Sequence, residues 1–205
     1  MKKMIMFLLL NTLAAGASTM AQGSGYNVGD KASDFKLKNV DGKMVSLADY
    51  KDAKGFIVVF TCNHCPYAKA YEDRITALNA KFQPIGYPVI AINPNDPTQY
   101  PEDSYENMQK RANEKGYKFP YLFDADQTVY PAYGATRTPH VYVLTRKGNE
   151  LIVEYIGAID DNYEDASKVT HSYVAEAVNA LLENKKPEIT STKAIGCSIK
   201  AKMAH

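Results

Sequence analysis

The sequence predicts an α/β fold in which helices cover both faces of a central mixed sheet, a three-layer sandwich. Two segments, 55–60 and 88–92, are nearly continuous apolar runs with β-branched residues, as in strands that are covered on both faces. Between them, apolar residues recur at helical spacing from Pro66 onwards. Because a helix that joins two buried strands forms a right-handed crossover, the two strands are expected to pair in parallel.

The N-terminus is typical of a secretory signal peptide over residues 1–21. A basic start precedes an apolar run at 4–10 and mostly small residues at 14–21, and cleavage can follow Ala17 or Ala21. The apolar run is short for a membrane-spanning helix, although an uncleaved anchor is the alternative. We therefore expect an exported protein, periplasmic if the host is Gram-negative, with no stable membrane insertion after cleavage.

The remaining chain is predicted to form one domain, 22–185, followed by a polar C-terminal tail, 186–205. A chain of 205 residues with 45% hydrophobic residues is long enough to bury one sizeable core. Its 24 basic and 23 acidic residues nearly cancel, so no strong field favours nucleic acid or an anionic membrane.

An added N-terminal hairpin is predicted ahead of the first buried strand. Segments 35–40 and 43–47 have an extended pattern, and Asp41-Gly42 between them is a turn signal. The helix that follows the first buried strand is expected to end at Pro84 and Gly86. Its apolar stripe consists of Tyr67, Tyr71, Ile75, Leu78 and Phe82.

The second half of the domain is predicted to begin with an inserted helix. We expect Asp103 to cap this helix together with Glu106, and Gly116 to end it. The later elements are a strand at 119–124, a brief helix at 127–133, a hairpin of strands at 140–145 and 150–155, and a helix at 171–184.

Two cysteines separated by two residues, Cys62 and Cys65, follow the first buried strand directly. A helix N-terminus offers free N–H groups and a partial positive charge, which stabilise a thiolate. We expect Cys62 at the helix mouth, exposed and able to attack a substrate disulfide, with Cys65 one turn in to resolve the mixed disulfide. His64 between them is expected to stabilise the thiolate further, and such motifs bring a thiol pKa into the range of roughly 3.5–7.5.

Other interpretations of the cysteine pair are weaker. A structural disulfide is possible in an oxidising compartment, but so short a loop removes little entropy from the unfolded chain. A c-type haem site is excluded because Pro66, and not His, follows the second cysteine. The third cysteine, Cys197, leaves an odd count.

Motifs spread over 27–200 resemble the redoxin branch of the thioredoxin superfamily. This branch includes the alkyl hydroperoxide reductase/thiol-specific antioxidant proteins and exported thiol:disulfide reductases. More narrowly, the chain is similar to a peroxiredoxin-like subgroup with a Thr-Cys-Asn-His-Cys-Pro signature. The residues that carry the resemblance are Val28-Gly29-Asp30, Asp34-Phe35, Asp41-Gly42-Lys43, 60–66, 92–96, Thr138-Pro139 and Gly196-Cys197-Ser198-Ile199-Lys200.

The resemblance implies a thioredoxin-like fold with Cys62 and Cys65 as the redox pair. It also implies a cis peptide bond before Pro139, although only about 5–6% of X–Pro bonds in folded proteins are cis. The backbone of Thr138 would then face the dithiol and pair with an extended substrate. No cofactor is predicted.

Two departures from the family pattern bear on mechanism. Where peroxiredoxins carry Pro and Thr ahead of the peroxidatic cysteine, this chain has Val58 and Cys62, if Cys65 is that cysteine. If Cys62 is that cysteine, the same positions hold Gly55 and Val59. The buried Asp that thioredoxins carry on the central strand is also absent.

Arg137 and His140 are candidate auxiliary residues beside the predicted cis-proline. Arg137 points towards a peroxidase, since peroxiredoxins use an Arg near this strand, but a solvated surface charge is the alternative. His140 can reach the site or be a half-buried strand residue. Cys197 is either a distant resolving cysteine or an inert thiol in the tail.

Three functions follow from these residues. The leading hypothesis is an exported thiol:disulfide oxidoreductase that cycles Cys62 and Cys65 on protein or small-molecule disulfides, with a redox partner. The alternative is a thiol peroxidase, in which one cysteine becomes sulfenic acid and a neighbour resolves it. The third is a metal-delivery protein holding a soft metal with two thiolates and His64 or His140.

Overall fold

The computed structural model describes residues 25–203, so the predicted signal peptide lies outside the described residues. The strands are β1 Lys31–Ala32, β2 Lys36–Asn39, β3 Met44–Ser46, β4 Gly55–Phe60, β5 Val89–Asn93, β6 Tyr121–Phe123, β7 Arg137–Thr138, β8 His140–Lys147, β9 Glu150–Gly157 and β10 Cys197–Ser198. The α-helices are α1 Pro66–Phe82, α2 Tyr105–Lys115, α3 Val129–Tyr133 and α4 Tyr173–Leu182.

Eight strands form one mixed sheet in the order β1-β9-β8-β4-β5-β6-β2-β3. β4 pairs in parallel with β5, and β5 with β6, while β8 pairs antiparallel with β4. The parallel pairing of the two apolar strands is therefore confirmed. The predicted additions are also present: the β2–β3 hairpin extends the sheet beyond β6, and α2 is inserted between β5 and β6.

Both faces of the sheet are buried, which confirms the three-layer, thioredoxin-like architecture. Side chains alternate along a strand, so Ile57 and Val59 of β4 pack in one core with residues of α1, α2 and α4. Phe56, Val58 and Phe60 pack in the other core with residues of α3. This explains why β4 is a continuous apolar run instead of an alternating one.

One helix start matches the sequence-based expectation and one differs from it. Helix α1 begins at Pro66, so its N-cap is Cys65. Helix α2 is capped by Ser104, whose side chain accepts a hydrogen bond from the Asn107 N–H at 3.3 Å. The prediction of Asp103 as the cap was wrong, because its carboxylate is buried and directed towards the cysteine loop.

The described part of the predicted tail, 186–203, lies against the domain, and we call it the C-terminal segment. Thr192 donates its N–H to the Ile156 carbonyl at 3.0 Å, and the Ile156 N–H donates to the Thr190 carbonyl at 3.1 Å. Gly157 permits this approach, since a Cβ there would lie 2.2 Å from Thr192 Oγ1. Further on, β10 pairs with β7 in a separate two-stranded sheet.

Within residues 25–203, no helix combines the length and the apolar character needed to cross a bilayer.

Candidate active site

The two cysteines of the motif lie where the central strand ends and α1 begins. The Thr61 N–H extends the pairing with β5 by donating to the Ile92 carbonyl at 2.8 Å. Cys65 occupies the N-cap of α1, and Cys62 lies in the preceding loop. The expectation that Cys62 is at the helix mouth, with Cys65 one turn in, was therefore wrong: Pro66 is the first helical residue.

Thr138 faces both cysteines from the neighbouring strand. The Thr138–Pro139 peptide bond is cis, as the resemblance implied. Thr138 Oγ1 lies 3.1 Å from Cys62 Sγ, and the Thr138 carbonyl oxygen lies 3.3 Å from Cys65 Sγ. Thr138 and Pro139 are buried, so this contact is closed to solvent.

A disulfide joins Cys65 to Cys197, with 6.1 Å between the two Cα atoms, while Cys62 remains a free thiol. A bond within the Cys62–Cys65 pair was the expected oxidised form. The observed pairing links residues 132 positions apart in the sequence. It forms because β10 brings Cys197 opposite Thr138 in an antiparallel register.

The C-terminal segment occupies the backbone edge at Thr138 where an extended substrate was expected to pair. At Gly196 the approach is so close that a Cβ would lie 2.2 Å from the Thr138 carbonyl oxygen. Arg137 Nη1 donates to the Gly196 carbonyl at 3.4 Å. The exposed Arg137 side chain thus contacts the segment.

Cys62 is 3% exposed. It forms a buried cluster with Cys65 and Ala68, and Tyr67 and Cys197 pack against this cluster. Burial raises the pKa of the Cys62 thiol to about 11, and the negative charge of Asp103 contributes in the same direction. Hydrogen bonds from Thr138 and the nearby backbone oppose the shift without cancelling it. The expectation of an exposed Cys62 with a lowered pKa was wrong for this disulfide state.

Asp103 organises the loop that carries the cysteines and was missed as a site residue. Its carboxylate is 0% exposed and lies 2.5 Å from His64 Nδ1. It also accepts hydrogen bonds from the Asn63 N–H at 2.7 Å and from Asn95 Nδ2 at 2.8 Å. The His64 ring stacks on Tyr100 with 4.3 Å between centroids. These contacts fix the position of the His64 ring beside Cys62.

Donor atoms of Cys62, His64 and Asp103 lie within 4.8 Å of one another, which is compatible in spacing with a metal ion. The carboxylate oxygens already accept several protein hydrogen bonds, which a metal would have to displace. The two-thiolate site of the metal-delivery hypothesis also requires Cys65, whose sulfur is in the disulfide. The donor set therefore fits a soft metal poorly in this state.

His140 is a buried strand residue at the start of β8. Its Nδ1 accepts a hydrogen bond from the Thr136 N–H at 3.3 Å, and its ring lies 5.0 Å from that of Tyr142. Burial lowers the pKa of His140 to about 4, so the imidazole is neutral near pH 7. These contacts match the structural alternative for His140.

Cysteines at a strand–helix junction facing a cis-proline define a thioredoxin-like, thiol-based redox enzyme. Comparison with known proteins gives the family: residues 28–155 match the AhpC/TSA family, and the chain belongs to it.

Three relatives illustrate the similarity. The thiol-disulfide oxidoreductase ResA of Geobacillus thermodenitrificans is 27% identical over 150 residues, covering 72% of this chain and 82% of the relative. A Mycobacterium tuberculosis protein, provisionally named a peroxiredoxin, is 30% identical over 124 residues, covering 58% of this chain and 71% of the relative. The solved structure of an uncharacterised conserved protein from Geobacillus kaustophilus is 41% identical, with a TM-score of 0.81 and coverage of 87% and 94%.

The raised pKa of Cys62 gives a testable pH dependence. With the Cys65–Cys197 disulfide intact, alkylation of Cys62 by iodoacetamide should accelerate by about tenfold per pH unit from about pH 7 to about pH 10, because only the thiolate reacts. Mass spectrometry of the intact protein measures the rate. The same protein in urea should instead approach a plateau near its ordinary pKa of about 8.5. A plateau below pH 8 in the folded protein would contradict the burial argument.

Proposed function

We propose that the protein is an exported thiol:disulfide oxidoreductase acting on extended polypeptide or small-molecule disulfides. The observation that carries the proposal is the set of contacts at Thr138. One residue touches the sulfurs of Cys62 and Cys65, and its backbone pairs with a strand whose cysteine is disulfide-bonded to Cys65. An external strand that pairs with the same edge would bring its own disulfide to these sulfurs.

In the proposed reaction, the Cys62 thiolate attacks one sulfur of a substrate disulfide and releases the other as a thiolate. Cys65 then attacks Cys62 Sγ in the mixed disulfide, forming the Cys62–Cys65 disulfide and releasing the second substrate thiol. His64, held by Asp103 at 2.5 Å, is positioned to exchange a proton with the Cys62 sulfur. Each step exchanges one S–S bond for another, so the substrate supplies the oxidising equivalents.

Export is supported by the N-terminal residues alone. A basic start, an apolar run and small residues at candidate cleavage positions form a signal-peptide pattern. In an exported protein the compartment permits a stable disulfide such as Cys65–Cys197. We propose a periplasmic location if the host is Gram-negative.

Substitution of the motif cysteines tests the reaction. Cys62→Ser should lower the rate of disulfide reduction by about three orders of magnitude or more, because the attacking sulfur is lost. Cys65→Ser should accumulate a mixed disulfide between Cys62 and the substrate. Both effects are measured by mixing the fully reduced protein with a fluorescent peptide disulfide as substrate. Ser198→Ala, on β10 but without a sulfur change, is the matched control. Turnover at the wild-type rate by Cys62→Ser would refute the proposal.

Thiol peroxidase activity is the second candidate function. A Cys65–Cys197 disulfide is the product expected if Cys65 were oxidised to sulfenic acid and Cys197 resolved it. The similarity to a protein provisionally named a peroxiredoxin agrees with this route. Against it, the Arg137 guanidinium contacts the Gly196 carbonyl, and Val58 occupies a position that peroxiredoxins reserve for proline.

Stopped-flow oxidation of the reduced protein by hydrogen peroxide separates the two functions. Because the positions that activate peroxide in peroxiredoxins are changed, we expect a rate within about tenfold of that of free cysteine. The fully reduced Cys62→Ser and Cys65→Ser proteins are the controls that assign any fast phase to one sulfur. A rate far above that of free cysteine would make peroxide reduction the better function.

A further inference from the structure

The C-terminal segment binds the active site as a substrate strand would. Cys197 lies opposite Thr138 in the antiparallel register, and Ser198 lies opposite Arg137. The Ile199 N–H donates to the Thr136 carbonyl at 3.3 Å and continues the contact along the same edge. Two strands cannot pair with one edge at the same time, so an external strand and this segment compete for Thr138.

Polar contacts hold the far side of the segment. The Lys200 N–H donates to Asn95 Oδ1 at 2.9 Å, and the Lys200 carbonyl accepts from the Asp96 N–H at 2.9 Å and from Gln127 Nε2 at 2.8 Å. Ile195, just before the site, is 44% exposed. Apart from Ile199, which packs against the core that contains Phe56, Val58 and Phe60, the strand is held by hydrogen bonds and one disulfide. It can leave the edge when the disulfide opens, because water replaces those hydrogen bonds at small net cost.

A second attachment keeps the segment close after release. Thr192 is hydrogen-bonded to Ile156 on β9, five residues before Cys197 in the sequence. A tether this short holds the Cys197 sulfur at an effective concentration in the millimolar range or above. Return of Cys197 to the site is therefore intramolecular.

Solvent exposure differs among the three cysteines. Cys65 is 0% exposed and Cys62 is 3% exposed, whereas Cys197 is partly exposed. A redox partner that approaches the disulfide from solvent therefore meets Cys197 before it meets Cys65.

We infer that Cys197 is a third redox cysteine, which takes the disulfide from the Cys62–Cys65 pair and presents it to a dithiol partner, a reductant, at the protein surface. The inference rests on the proposed thiol:disulfide oxidoreductase activity. It assigns the segment as an internal substrate strand and Cys65 as the central sulfur of a three-cysteine relay.

The relay step is a balanced exchange. The Cys197 thiolate attacks Cys65 Sγ in the Cys62–Cys65 disulfide, the Cys65–Cys197 bond forms, and the Cys62–Cys65 bond breaks. Cys62 leaves as a thiolate and takes a proton from solvent or from His64, while Cys197 has lost one. One disulfide replaces another, so no outside oxidant or reductant is consumed. The product is the disulfide state of the structure.

The relay also closes the site. Once β10 lies on Thr138, Cys62 is buried and the external substrate edge is filled. A dithiol partner whose thiolate attacks Cys197 breaks the Cys65–Cys197 bond and releases Cys65 as a thiolate; its second thiol then releases Cys197 and leaves the partner as a disulfide, which frees the segment and reopens the edge. The reactivity of Cys62 is thus linked to the position of the segment.

Disulfide mapping over time tests the relay on the full chain. Fully reduced protein is mixed with one equivalent of oxidised glutathione, quenched with acid at intervals, alkylated and mapped by peptide mass spectrometry. In the wild type, the Cys62–Cys65 bond should appear first and give way to Cys65–Cys197. Cys197→Ser should stop at Cys62–Cys65 while releasing glutathione at the wild-type rate.

Two further variants separate sulfur chemistry from strand docking. Gly196→Ala keeps all three thiols but places a methyl group 2.2 Å from the Thr138 carbonyl oxygen, so the segment cannot seat in its present position. We expect it to lower the ratio of Cys65–Cys197 to Cys62–Cys65 by about tenfold or more. Ser198→Ala should leave that ratio unchanged, and circular dichroism checks that each variant is folded.

The outcomes distinguish the relay from the proposed function. Normal glutathione release without any Cys65–Cys197 bond in the wild type would overturn the relay and leave the oxidoreductase activity standing. A Cys65–Cys197 bond that forms equally fast in Cys62→Ser would also overturn it, because the bond would then be independent of the Cys62–Cys65 pair. Failure of the wild type to release glutathione would overturn both.

Discussion

The contact of Thr138 with all three cysteines is the interaction on which the site depends. Its hydroxyl lies against Cys62, its carbonyl against Cys65, and its backbone pairs with Cys197. The core fixes this position, because β8, which follows Thr138-Pro139 directly, pairs along the whole length of β4. The pairing of β4 with β8 therefore sets the position of Thr138 relative to the cysteines that follow β4.

The pKa of the Cys62 thiol depends mainly on its burial. A helix N-terminus lowers the pKa of a thiol beside it, but the cysteine at the N-cap of α1 is Cys65. Cys62 is instead buried next to the Asp103 carboxylate, which raises its pKa. Removing water from a thiolate costs more than the nearby hydrogen-bond donors return. The disulfide state therefore holds Cys62 as an unreactive thiol. We attribute this to the C-terminal segment, because Cys197 packs against the Cys62 cluster.

The elements predicted from sequence were those with local patterns. The β4 run, the α1 stripe and the Asp41-Gly42 turn depend on neighbouring residues, and all appear in the structure. The cis bond before Pro139 followed from family resemblance, since a lone Thr-Pro pair favours the trans form.

What the sequence could not place depends on contacts between distant residues. Asp103 reaches Asn63 across 40 positions, and its local pattern resembles an ordinary helix cap. Cys197 lies in a polar segment with no periodic pattern, because the segment binds through its backbone. The Gly196-Cys197 pair was the available signal, as glycine permits the close approach to Thr138. The position of Cys65 was also available, since Pro66 at the first helical turn makes the preceding residue the cap.

The most direct measurement of the central claim is an equilibrium redox titration of the full chain against glutathione, with every disulfide identified by peptide mapping. If Thr138 holds Cys197 on Cys65, the oxidised protein will carry the Cys65–Cys197 bond and a free Cys62 thiol. An oxidised protein that carries mainly the Cys62–Cys65 bond, with Cys197 free, would contradict the account.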